Sequence, residues 1–95
     1  MHKIEIYGFD GAYTCKFCNN AKRLCETRKL EYVYTPVNDG VDEAGRPVKN
    51  ERLIETIKER AGAEIKTMPQ IFVNDEYIGG FDEFRAYVVK NRIQG

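Results

Sequence analysis

Two cysteines three apart, Cys15-Lys16-Phe17-Cys18, stand where a strand-like run gives way to a helix-like one, and this junction constrains the chain more than any other feature. Lys3-Ile4-Glu5-Ile6-Tyr7 alternates polar and apolar and stops at Gly8, the pattern of a half-buried strand. Residues 8–14, rich in Gly, Asp and Thr, read as the loop that delivers the chain to Cys15. From Lys16 to Lys29 the apolar positions Phe17, Ala21, Leu24 and Cys25 recur at helical spacing. Lys22, Arg23, Arg28 and Lys29 add the positive charge that a helix C-terminus favours. Cysteines one helical turn apart share a face, within the roughly 4.4–6.8 Å Cα separation that a disulfide spans. The first thiol meets the unpaired N–H groups and positive dipole end of the helix, which stabilise a thiolate. An ordinary cysteine is only about 3% thiolate at pH 7, and such surroundings commonly bring its pKa below neutrality. This junction predicts a dithiol that makes and breaks disulfides.

The remaining elements follow in a simple order. Glu31-Tyr32-Val33-Tyr34-Thr35-Pro36-Val37 is β-branched and aromatic, a second strand, and the right-handed strand–helix–strand crossover makes it parallel to the first. Asn38 to Pro47 carries two glycines, a proline and several acids and shows neither helical nor strand period. It reads as a loop: a mobile surface connection is the favoured account, and selection of a client protein the alternative. Glu51 to Ala61, with Leu53, Ile54, Ile57 and Ala61 on one face, is a second helix closed by Gly62. Gln70-Ile71-Phe72-Val73, a turn at Asn74-Asp75 and Glu76-Tyr77-Ile78 make a hairpin. A last helix from Asp82 to Asn91 displays Phe84, Tyr87 and Val88. The order β-α-β-α-β-β-α predicts an α/β fold, with the hairpin adding antiparallel strands to the parallel pair and helices on both faces.

Ninety-five residues suffice for one domain, expected to span 1–95. Lys plus Arg and Asp plus Glu number 15 each, so no net field recruits nucleic acid or an anionic membrane. No apolar run is long enough to span a bilayer. Met1-His2-Lys3-Ile4 leads straight into strand sequence, so no signal peptide is expected. Three cysteines, an odd number, make no disulfide framework and suit a reducing cytosol, where a CxxC pair is redox-active or metal-binding. Zinc wants four ligands, and without a second CxxC the remaining candidates are Cys25, scattered carboxylates and a distant His2, so no metal site is expected. Cys15, first on the helix, is the expected nucleophile; Cys18, one turn further in, is the resolving thiol. Cys25 lies on the apolar stripe and reads as core, and His2 as a solvated residue without a visible partner. Two further places remain open. Pro69 in Thr67-Met68-Pro69 is either a strand starter or a cis proline turning the Met68 backbone toward the cysteines. Gly79-Gly80 before Phe81-Asp82 is either a turn with Asp82 as cap, or a set of helix N-terminal N–H groups for a carboxylate.

Cys-Lys-Phe-Cys followed by Asn19-Asn20-Ala21-Lys22-Arg23-Leu24, then Thr67-Met68-Pro69-Gln70, then Ile78-Gly79-Gly80-Phe81-Asp82, resemble in wording, order and distance the glutaredoxins of the thioredoxin fold, most closely those of T-even-type bacteriophages. The resemblance covers the whole chain. It implies a thioredoxin-like fold, with a four-stranded mixed sheet and three helices, and a dithiol–disulfide oxidoreductase. It also implies a cis Pro69 facing Cys15 and Cys18, and a glutathione groove formed with Lys16, Phe17 and Thr67. There Met68 would pair with the cysteinyl part of glutathione, Gly80, Phe81 and Asp82 would hold the γ-glutamyl end, and Lys66 would meet the glycyl carboxylate. No bound cofactor is implied; glutathione is a co-substrate, with thioredoxin reductase as another source of electrons. The implied client is ribonucleotide reductase, and the implied setting a monomer in a bacterial or phage-infected cytosol. Lys16 and Phe17 replace the family's commoner Pro-Tyr, and Ala12 stands where many members carry a lysine. Lys16 adds positive charge beside Cys15 and favours its thiolate. An iron–sulfur or metal carrier using the CxxC and glutathione is the rival reading, and Cys18 with Lys16 argues against it.

Overall fold

The alternation near the start of the chain becomes strand β1 (Ile4–Gly8), a central strand of a four-stranded sheet in the computed structural model, which describes residues 2–11 and 15–93. Residues 12–14 of the loop before Cys15, Ala12 among them, lie outside the described residues. Helix α1 (Lys16–Thr27) carries the chain to β2 (Tyr32–Pro36), which pairs with β1 in parallel, Ile6 opposite Tyr34. α1 stops two residues before the predicted end because Lys29 takes a left-handed backbone, φ 57°, and Leu30 N–H turns back to the Cys25 carbonyl at 2.8 Å. β5 (Gln70–Val73) runs antiparallel to β1, and β6 (Glu76–Gly79) antiparallel to β5, giving the order β2-β1-β5-β6. Asn74 and Asp75 both have positive φ, as a two-residue hairpin turn requires. This is the four-stranded mixed sheet with three helices that the sequence predicts.

Successive strand residues face opposite ways, so Ile6 and Tyr7 belong to different cores. On one face Ile4, Ile6, Ile71 and Val73 pack against Ala21 and Cys25 of α1 and against Phe84 and Val88 of α3 (Phe81–Asn91). On the other, Tyr7 and Phe72 pack against Ile54 and Ile57 of α2 (Glu51–Ala61). α2 has the predicted bounds. Asn50 caps it by accepting Leu53 N–H at 3.1 Å, Glu51 lies at its positive end, Lys58 and Arg60 at its negative end, and Gly62 closes it at φ 66°. Among the described residues, no helix is long and apolar enough to cross a membrane.

Residues 38–47 differ from the prediction. The expected loop holds two short antiparallel strands, β3 (Asn38–Val41) and β4 (Pro47–Lys49), which form a sheet of their own. Asn, Asp, Gly and Pro are poor strand formers, so propensity conceals this hairpin. Side-chain bonds build it instead: Asp42 Oδ1 accepts the N–H groups of Ala44 and Arg46, each at 2.9 Å, and Gly45 turns the chain at φ 80°. His2 also departs from expectation. It is half-buried, with its Nδ1 3.4 Å from Asn74 Nδ2.

Candidate functional site

The two cysteines meet where α1 begins. Cys15 is the N-cap residue, in extended conformation, and its Sγ accepts the Cys18 N–H at 3.3 Å. One turn brings the two Cα atoms to 5.2 Å, and the sulfurs are joined in a disulfide. Cys15 is half-exposed and Cys18 fully buried, so attack from outside reaches Cys15. Gly8, at the end of β1, lies under the pair. A Cβ there would fall 2.8 Å from Cys18 Sγ and closer still to the Tyr34 hydroxyl, so the dithiol needs a residue without a side chain at this point. Tyr34 in turn donates its hydroxyl to the Phe9 carbonyl at 2.5 Å, and burial pushes its pKa up to about 12, leaving it a proton donor at neutral pH.

The chain entering the site is fixed from the hairpin side. Asn38, 8% exposed, accepts the Asp10 N–H at 2.9 Å and donates Nδ2 to the Asp10 carbonyl at 3.0 Å and the Gly40 carbonyl at 2.9 Å. Residues 38–47 are thus bonded to the segment that leads to Cys15, although far from it in sequence.

A groove of about 230 Å³ lies between the start of α1, the approach to β5 and the start of α3. Phe17, Thr67, Met68, Pro69, Gly80, Phe81 and Asp82, all singled out in the sequence, line it together with Glu83. The Met68–Pro69 bond is cis. The rings of Phe17 and Phe81 lie 6.4 Å apart, and Phe17 is 52% exposed. A Cβ at Gly80 would sit 3.2 Å from Glu83 Oε1, a tight contact, and 3.6 Å from the Pro69 carbonyl oxygen, an ordinary one. Its N–H donates to Glu83 Oε1 at 2.8 Å, so among the amides at the start of α3 this one is already engaged. Lys16 is exposed and outside this groove, and Lys66 lines a neighbouring cavity that shares Thr67 and Met68.

Sequence reasoning missed a supporting chain. Gln70, 5% exposed, donates Nε2 to the Thr67 carbonyl at 2.8 Å and accepts the Tyr77 hydroxyl at 2.6 Å, so β5 and β6 hold the approach to Met68. Glu83 carries a local signal, an acid three residues after the N-cap Gly80. Gly8, Tyr34 and Asn38 carry no local signal, since their roles arise only across elements. Cys25 is buried and unpaired as expected, its thiol pushed up to about 12 by burial and then by Glu26.

The comparisons agree with this geometry. A model of the glutaredoxin family matches residues 4–78. The glutaredoxin of Enterobacteria phage T4 is 33% identical over 89 residues, covering 88% of this chain and 97% of the phage protein. The crystal structure of glutaredoxin 1 from Francisella tularensis, complexed with cacodylate, superposes with a TM-score of 0.74 at 29% identity, covering 97% of this chain and 98% of that one. A buckwheat glutaredoxin–glutathione complex shares the thioredoxin-like fold with a TM-score of 0.69 at 16% identity, covering 94% of this chain and 70% of the buckwheat chain.

Proposed function

This chain belongs to the glutaredoxin family of thiol–disulfide oxidoreductases, and from that premise we propose that it is a glutathione-linked reductase of protein disulfides, with ribonucleotide reductase among its clients. One observation carries the reading: a half-exposed Cys15 at a helix N-cap, paired with a buried Cys18, beside a groove lined by Met68, Pro69 and Phe81. In the reduced protein, Cys15 thiolate attacks one sulfur of a client disulfide. A mixed disulfide forms on Cys15 and the other client sulfur leaves as thiolate. Cys18 then gives up its proton and attacks Cys15 Sγ, which releases the second client thiolate and leaves the Cys15–Cys18 disulfide. Two electrons pass to the client. Two glutathiones restore the dithiol: the first forms a mixed disulfide on Cys15, and the second displaces it as oxidised glutathione.

The Cys18 N–H that donates to Cys15 Sγ is placed to serve a thiolate there, together with the helix dipole. Glutathione is assigned to the groove, its backbone pairing with Met68 and its γ-glutamyl carboxylate at the Phe81 and Asp82 amides, a reading supported by the buckwheat complex of the same fold. Lys66 would meet the glycyl carboxylate from the adjoining cavity. The reading includes a monomer of one domain working in a reducing cytosol. Its test is a pair of variants. Cys15→Ser should abolish turnover of both protein disulfides and glutathionylated substrates. Cys18→Ser should stop the first and spare the second, because a mixed disulfide on Cys15 can still be resolved by glutathione. Identical behaviour of the two variants in both assays would sink the assigned roles.

A further inference from the structure

The groove beside the dithiol continues past Met68. Thr67 and Met68 also wall a second cavity of about 370 Å³, with Ile54 and Ile65 buried among its lining and Lys49 and Lys66 exposed at its edge. Lys49 comes from β4, so the hairpin that replaces the expected loop supplies one side of the cavity. That side is held in place. Asn50 N–H donates to the Val37 carbonyl at 2.7 Å just beyond β4, and Asn38 fixes β3 to Asp10 through both of that residue's backbone groups.

The charges around the opening are unequal. Lys58 is engaged by Glu55 at 3.6 Å and Glu64 at 3.7 Å. Among the described residues, neither Lys49 nor Lys66 is in an ion pair. Glu51 is the acid of the lining, and it sits at the positive end of α2, which it complements. The cavity therefore offers an apolar floor and two ammonium groups outside any ion pair among the described residues, next to the backbone assigned to an extended substrate.

We propose that this cavity is a specificity subsite for protein clients, taking an apolar side chain and an acidic one two residues further on from the polypeptide that flanks the reacting cysteine. The inference rests on the oxidoreductase reading and extends it. An extended client pairing with Met68 advances about 3.3 Å per residue with side chains alternating in direction. Residues beyond the cysteine pass from the groove into the cavity, where an aliphatic group meets Ile54 and Ile65 and a carboxylate meets Lys49 and Lys66. Lys49 is the specificity-determining residue, because it belongs to the hairpin and not to the groove assigned to glutathione.

The test uses the full chain and two disulfide-linked peptides that differ only near the cysteine, Leu-Ser-Glu against Leu-Ser-Lys on both sides. A small disulfide, bis(2-hydroxyethyl) disulfide, serves as the reference for every ratio. The wild type should favour the acidic peptide by about 3- to 10-fold in kcat/KM at low salt, the scale of one or two exposed ion pairs, and lose that preference as salt rises. Lys49→Glu should erase or reverse it. Equal rates on the two peptides, or a preference unchanged in Lys49→Glu, would overturn the subsite while leaving small-disulfide turnover intact. No turnover on any disulfide would overturn the oxidoreductase reading, and the subsite with it.

Discussion

The two faces of the central sheet are built from different materials. Under α1 and α3 the contacts are aliphatic and aromatic: Ile4, Ile6, Ile71, Val73, Phe84, Val88, with Cys25 serving as one more small apolar group. Under α2 the apolar residues are interleaved with polar bonds. Arg60 donates both guanidinium arms to Glu5 at 3.1 Å and one of them to the Tyr7 hydroxyl at 2.8 Å, and lies 4.1 Å over the Phe72 ring. Gln70 links Thr67 to Tyr77 on the same side. Apolar contact is strong but non-directional, whereas hydrogen bonds are weaker in net and fix geometry. The dry face accordingly supplies most of the stability and seats the helix that bears the cysteines. The polar face holds the Thr67–Pro69 segment where it walls the groove shared with Phe17 and Phe81.

Three measurements can break that division. Phe84→Ala, at a fully buried position, should cost about 3–5 kcal/mol in urea unfolding, the largest loss from a single truncation here. Turnover per folded molecule should change little; a collapse in activity at a temperature where the variant is folded would refute the division. Gln70→Ala should cost less, about 1–3 kcal/mol, because it strips a partner from the Thr67 carbonyl and the Tyr77 hydroxyl. Its disulfide turnover should nonetheless fall further than that of Phe84→Ala, and the reverse ranking would end the comparison.

The smallest effect is alkaline. Burial raises Cys25 from 9.0 to about 12 and Tyr34 from 10.0 to about 12, both against the dry face. A raised folded pKa means that the native state keeps protons the unfolded chain has already lost. Stability is therefore full below about pH 9 and falls as pH rises toward 12. Urea midpoints between pH 8 and 11 should decline less steeply in Cys25→Ala than in the wild type; parallel slopes would remove Cys25 from the account.

Most of the fold was legible because it rests on local periodicity. Lys3–Tyr7 alternates, Glu51–Ala61 repeats at helical spacing and ends on Gly62, and Asn74-Asp75 marks its turn. The cysteine junction was legible for the same reason, since cap, helix and spacing all lie within a few residues. The β3–β4 hairpin was not, because its order comes from the Asp42 and Asn38 side chains and not from strand-forming residues. Gly8 was read as the stop of a strand, yet what demands a glycine there is a sulfur ten residues later and a hydroxyl from another strand. Lys16 was named for charge beside Cys15 and Lys66 for the glycyl carboxylate of glutathione, and neither lines the groove that Phe17, Met68, Pro69 and Phe81 share.

The burial of Cys25 turns the protein into its own redox gauge. The chain has three cysteines, and with Cys15 and Cys18 joined the remaining thiol is out of reach of solvent. A thiol-reactive dye added to the folded protein thus reads nothing from the oxidised form and responds only as the working pair opens. Labelling stoichiometry tracks turnover directly, with no cysteine to be engineered away first. The same seclusion keeps the oxidised molecule from cross-linking to its neighbours through that sulfur during storage in air.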